Sequence, residues 1–264
     1  MTHLTTADGT EIHYEIAGGG AQPLLFVHGW CSNLNHWRRQ VRHFARRHRV
    51  IAVDRRGHGR SAQPKSPREL NAALHAADVA AVAHKEGIRG AIVVGHAGGG
   101  PATLELARTY PELARAVVMV DAGVYPKPRI GHADDPFGAR LGGMIEALSS
   151  VDGAQRFREI YATFFGPHCD KALVTRAVAD AARTPLAIAI AELKQTIGVS
   201  TQAIARGVKQ PVLFVTATAA DQAYVRSALR RVEFAQVAGS GHFVQLEVPA
   251  QLNAMIDTFV AQLD

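Results

Sequence analysis

The sequence predicts an α/β fold, with a mostly parallel central sheet covered by helices on both faces. Three observations predict it. Short continuous apolar runs alternate with segments of helical periodicity, the pattern of βαβ units buried on both sides. The runs end in glycine, histidine or aspartate, so polar chemistry gathers at the sheet edge where open α/β sheets place their ligands. The rhythm stops once, over residues 122–207, where helical patterning with Gly and Pro breaks replaces it.

Taken in order, residues 11–16 alternate polar and apolar as a half-exposed strand does. The run Pro23-Leu24-Leu25-Phe26-Val27 ends at His28-Gly29. A basic segment follows in which Trp37, Val41 and Phe44 share one stripe and Arg38, Arg39, Arg42, Arg46 and Arg47 the rest, the mark of an amphipathic helix with a solvated basic face. Val50-Ile51-Ala52-Val53 ends at Asp54, and residues 69–86 read as a helix. Ile92-Val93-Val94 ends at Gly95, a helix covers 99–109, and Ala116-Val117-Val118-Met119-Val120 ends at Asp121. Strands return at 211–216 and 234–237, with a helix between them and a last one at 249–262. The expected division is a core of residues 1–121 and 208–264 and a helical cap insertion over 122–207.

Composition narrows the function classes. Apolar residues make up 47% and charged residues 20% of 264, as in an ordinary soluble globular protein. No apolar stretch is long enough to span a bilayer, and the first residues lack the basic start and apolar run of a signal peptide. The expectation is a cytoplasmic protein without a membrane partner. The basic segment has no interleaved aromatic residues and no recognition motif after it, so no nucleic-acid partner is expected. Cys31 and Cys169 are too few for a disulfide framework or a four-ligand metal site, and Cys31 is read as a small buried residue. No Gly-X-Gly-X-X-Gly turn stands at the first βα junction and no metal-ligand cluster appears, so no cofactor is expected. The partner is a small-molecule substrate; oligomeric state is left open.

The turn Gly95-His96-Ala97-Gly98-Gly99 has the small-X-nucleophile-X-small spacing of a nucleophile elbow. Glycines are needed because a strand turns abruptly into a helix there, and the central residue is pushed to the tip. A serine at that tip is activated by a histidine, but alanine has no nucleophilic atom. Three readings stand: a serine replaced by alanine to trap an uncleaved substrate, a natural enzyme that works without the nucleophile, and a natural binder without catalysis.

Four motifs stand in the order shared by α/β-hydrolases: His28-Gly29-Trp30, Asp54-Arg55-Arg56-Gly57-His58-Gly59-Arg60-Ser61, the elbow, and Gly239-Ser240-Gly241-His242-Phe243. On these residues the chain resembles the α/β-hydrolase-fold superfamily over nearly its whole length outside the insertion. The resemblance implies the α/β-hydrolase fold with a helical cap. It assigns the general base to His242 among 13 histidines, the nucleophile position to Ala97, and the oxyanion hole to the backbone N–H groups of Trp30 and Gly98. The Asp54–Ser61 stretch is expected to fix a loop by internal hydrogen bonds. For the acid, the usual position after the seventh strand falls on Ala220, with Asp221 one residue late. Asp121, ending the sixth strand, is where some members of the fold carry their acid, and it is preferred over Asp221.

The expected function is hydrolysis of an ester, lactone or C–C bond in a small apolar or aromatic substrate, through a triad whose serine is replaced by Ala97. Two alternatives are a cofactor-free dioxygenase, which uses a His/Asp dyad on a hydroxyquinolone-like substrate, and a non-catalytic ligand receptor. Gly29-Trp30-Cys31 and the stretch following Asp121 are similar to the dioxygenase members. The insertion supplies Phe137, Leu141, Met144, Phe157, Tyr161, Phe164 and Phe165, which suit an apolar or aromatic ligand and a helical core equally.

Overall fold

A computed structural model describes residues 2–263. Eight strands form one sheet: β1 (Thr2–Thr5), β2 (Glu11–Ala17), β3 (Leu24–Val27), β4 (Val50–Val53), β5 (Ala91–His96), β6 (Ala114–Val120), β7 (Val212–Thr216) and β8 (Val232–Gln236). Their spatial order is β1-β2-β4-β3-β5-β6-β7-β8. β2 runs antiparallel to both β1 and β4, and every later pairing is parallel. The edge strand β1 carries no alternation that sequence reading detects; its pairing with β2 defines it.

Successive residues of the central strands enter opposite layers, as the period of two requires. Leu25, Val27 and Val93 pack on one face with α2 (Ala72–Lys85) and α3 (Gly100–Thr109). Leu24, Phe26, Ile92 and Val94 pack on the other, which is closed by Trp37, Phe44 and the C-terminal helix. β3, β4 and β5 are buried along their whole length, which is why they read as unbroken apolar runs.

The basic segment divides into a 3-10 turn, Leu34–Trp37, and a short helix α1 (Arg38–Phe44). His43 and Arg47 on this segment reach Asp257 at 2.6 and 2.8 Å. Between β6 and β7 the chain forms α4 (Pro136–Ser149), α5 (Gly153–Ala162), α6 (Lys171–Ala181), α7 (Leu186–Ile197) and α8 (Thr201–Ala205). The first four enclose their own core of Leu141, Met144, Leu148, Phe157, Tyr161 and Leu193, into which Cys31 and Phe243 of the sheet domain project. The chain closes with α9 (Gln222–Arg226), α10 (Val244–Glu247) and α11 (Pro249–Ala261).

Candidate active site

β5 delivers Ala97 to a sharp turn into a 3-10 turn and then α3. The turn demands close approach. A Cβ on Gly95 would lie 2.6 Å from Thr103 Cγ2, and one on Gly99 2.5 Å from the His28 carbonyl oxygen. Ala97 sits at φ 47°, a left-handed conformation that costs about 1 kcal/mol or more for a residue with a Cβ. Only two other non-glycine residues among those described have positive φ, Cys31 at 49° and Asp121 at 43°. All three lie at the carboxyl ends of neighbouring strands, or one loop beyond, so the positive-φ strain of the described non-glycine residues is concentrated in one place.

His242 follows β8 in the Gly239–Phe243 turn. Its Nδ1 lies 2.6 Å from Asp121 Oδ2, and its backbone N–H donates to the Phe164 carbonyl at 2.7 Å. The partner carboxylate fixes Nδ1 as the protonated nitrogen and leaves Nε2 as the acceptor. Asp121 is held in turn: its Oδ1 accepts from the Ala217 N–H at 2.9 Å, and its own N–H donates to the Val215 carbonyl at 2.7 Å. Asp221 stands apart. It is exposed, and its Oδ1 accepts from the Tyr224 N–H at 3.0 Å as the N-cap of α9. Of the two candidate acids, only Asp121 is brought to the histidine.

His96 is buried beneath this pair, and its Nε2 donates to the His242 carbonyl at 2.9 Å. Burial, reinforced by the neighbouring His242, holds its pKa well below the ordinary histidine range, so it is a neutral donor. The Trp30 amide nitrogen lies 3.3 Å from where a Cβ on Gly98 would stand, so the two backbone amides named from the sequence adjoin. The Gly98 N–H is at a helix start, where it has no intrahelical acceptor. The Trp30 indole turns the other way, packing on Phe157 at 5.4 Å and donating to the Ala189 carbonyl of α7 at 2.9 Å.

These groups line a cavity of about 640 Å³ between sheet and cap. Its walls separate the insertion's apolar residues into two sets. Phe137 and Phe164 face the cavity, and Leu141 and Met144 of the core between the helices reach its wall, whereas Phe157 and Tyr161 are 3% and 0% exposed and lie only in that core. Sequence reading missed the cavity's polar wall, where Arg55, His75 and Glu192 converge. Arg55 Nη1 donates to Glu192 Oε1 at 2.6 Å, and both residues are buried. The Asp54–Ser61 loop is therefore held only partly from within. Ser61 Oγ donates to the Asp54 carbonyl and the Arg60 N–H to Asp54 Oδ2, but Arg56 pairs with Asp78 of α2 and Arg55 reaches across to the cap. No cluster of residues able to hold a metal ion occurs among the described residues, and no described helix is long and apolar enough to cross a membrane.

The alpha/beta hydrolase fold family matches residues 22–249, and the chain belongs to it. A non-heme chloroperoxidase of Streptomyces lividans is 41% identical over 125 residues, 46% of this chain and 45% of that protein. A bifunctional esterase/perhydrolase of Acinetobacter calcoaceticus is 38% identical over 123 residues, 45% of this chain and 44% of that protein. The chain thus matches less than half the length of these curated relatives. The enol-lactonase of Burkholderia xenovorans LB400 superposes with a TM-score of 0.84 at 19% identity, covering 98% of this chain and all of that one, a likeness of fold.

Proposed function

We propose that this α/β-hydrolase-family chain carries an acyl-transfer site for a small, largely apolar ester or lactone, complete except for the nucleophile. The observation that carries the reading is the 2.6 Å His242–Asp121 pair beside a strained elbow tip at Ala97, in the same cavity. A plain binding pocket needs neither the strain nor the dyad. Similarity in sequence to a protein named esterase/perhydrolase supports the reaction class.

With serine at position 97, Oγ attacks the acyl carbon while His242 Nε2 takes its proton. The carbonyl electron pair moves onto oxygen, where the Trp30 and Gly98 N–H groups stabilise it. Collapse expels the alcohol, which recovers the proton from His242, and water repeats the cycle to release the acid. Asp121 holds the imidazole tautomer and stabilises the imidazolium. Alanine removes the covalent step and leaves the rest.

Ala97→Ser should raise turnover of an activated aryl ester by about 100-fold or more over this chain, the order expected from restoring a missing triad member. A folded Ala97→Ser protein with no gain contradicts the reading.

One observation favours a second reading: the dyad is intact although no nucleophile requires it. In a cofactor-free dioxygenase, His242 takes a hydroxyl proton from a hydroxyquinolone-like substrate, and the resulting anion is the reductant for O₂. Oxygen uptake by the alanine form, abolished in His242→Ala, selects this reading. Tight binding with neither activity leaves a ligand receptor.

A further inference from the structure

The Trp30 N–H does not stand alone: it shares a rigid peptide plane with the Gly29 carbonyl, and in a trans peptide the two point in opposite directions. Whatever holds the Gly29 oxygen therefore aims the Trp30 N–H. Three donors hold it, Arg55 Nη2 at 2.8 Å, His28 Nδ1 at 2.9 Å and the Ser32 N–H at 3.3 Å. His28 is fixed in the donating tautomer, because its Nε2 accepts from the Arg55 backbone N–H at 2.9 Å. Burial first, then the Arg55 guanidinium, keep it neutral, well below the ordinary histidine range.

Arg55 is itself clamped. Its Nη1 and Nη2 lie 2.6 and 3.3 Å from the two carboxylate oxygens of Glu192, on cap helix α7. Arg55 is 2% and Glu192 6% exposed. Burial pushes the Glu192 carboxyl up, but Arg55 and then His58 outweigh it and hold the group ionised, well below the carboxylate range. His58 and His75 Nε2 each lie 3.3 Å from the same carboxylate. A buried ion pair is a weak source of stability compared with apolar residues of the same volume, so its presence on the cavity wall points to another role. A cation on the carbonyl side of a peptide also polarises it, strengthening the N–H as a donor.

We propose that Arg55 and Glu192 are positioning residues for the oxyanion site: Glu192 of the cap holds Arg55, and Arg55 holds the Gly29 carbonyl so that the Trp30 N–H faces the cavity. Helix α7 grips the same residue a second time, through the Ala189 carbonyl and the Trp30 indole. The cap thereby sets the geometry of a donor that belongs to the core. The inference rests on the acyl-transfer reading only for the use made of the Trp30 N–H, not for its placement.

Two readouts separate these. In the unaltered Ala97 chain, Glu192→Gln should move the Trp30 amide ¹⁵N and Gly29 carbonyl ¹³C resonances, with neighbouring core resonances unmoved. In the Ala97→Ser background the same change should lower kcat by about 10- to 100-fold with KM within about threefold, the effect of a misaimed oxyanion donor. Glu192→Gln leaves Arg55 buried without a full partner, so an apolar pair, Arg55→Met with Glu192→Met, keeps the test open if that variant unfolds. The apolar pair should retain the parent Tm and still show both effects. If Ala97→Ser is inactive, the acyl-transfer reading fails and the resonances alone decide the placement. Unmoved Trp30 and Gly29 resonances in the apolar pair, or a loss confined to KM, overturn the proposal and make Glu192 a cavity wall only.

Discussion

At the scale of single residues, the acid is the sharpest question, because two aspartates satisfied the chain order nucleophile, acid, histidine. Asp121 ends a central strand, and the sheet fixes its backbone, so its carboxylate can reach His242 at 2.6 Å while the Ala217 N–H holds the other oxygen. Asp221 starts a helix and spends its side chain on the cap. In the Ala97→Ser background, Asp121→Asn should lower kcat by about 10⁴, the loss seen when a triad acid becomes an amide and the wrong tautomer results. Asp221→Asn should leave kcat within about twofold, since asparagine caps a helix as well as aspartate does. Steady-state kinetics of the two variants check both, and the reverse ranking would move the acid to the seventh strand. The elbow was legible because its signal is local: five consecutive residues dictate the turn. The acid was legible only as a preference for Asp121 at a strand end, because the pairing depends on which side chain reaches across the strand ends, and chain order alone permits both.

Among the elements, the strands were read from their apolar runs because burial on both faces leaves no room for polar residues. The cap was harder. Phe157 and Tyr161, one turn apart on α5, pack inward, while Phe137 and Phe164 face the cavity. The same residue type serves both purposes, and only the packing of α4 to α7 decides between them. Glu192 was missed for a related reason: its partner Arg55 is 137 residues away in the chain, and nothing near either residue announces the other. The return of the cap to the core depends on a small anchor. Thr201, fully buried at the start of α8, accepts from the Tyr125 N–H at 2.8 Å and donates to the Gly123 carbonyl at 3.1 Å. Thr201→Val keeps the shape and leaves the half-buried Tyr125 N–H without its acceptor, at a cost of about 1 kcal/mol. Urea unfolding should show a lower midpoint with an unchanged slope. An unchanged midpoint would mean that the anchor contributes nothing.

For the molecule as a whole, buried histidines make stability depend on pH. Burial lowers His36 and His75 from 6.5 to about 4. Between these values the unfolded chain binds a proton that the folded one does not, so stability is full above pH 6.5 and is lost as pH falls towards 4. Each histidine should remove about 3 kcal/mol across that window. His28 and His96, lowered in the same direction by burial first, steepen the loss. Denaturant unfolding at pH 7.0, 6.0 and 5.0 should show a falling free energy, and His36→Leu should flatten the slope by about one proton's share. Equal stability at pH 7.0 and 5.0 would contradict the burial account.

The proposed acyl-transfer site lacks only its nucleophile. Covalent capture tests it most directly, because it requires a reactive oxygen, a base and an oxyanion hole together but no complete turnover. A fluorophosphonate should add to Ala97→Ser with loss of fluoride, seen as one adduct by intact mass and mapped by peptide sequencing to the introduced serine. The unaltered chain should stay unmodified, and His242→Ala in the Ala97→Ser background should slow the labelling by about 10³-fold or more. An Ala97→Ser protein that stays folded and unlabelled, or that labels equally fast without His242, would show that the dyad and the two amides do not form an acyl-transfer site.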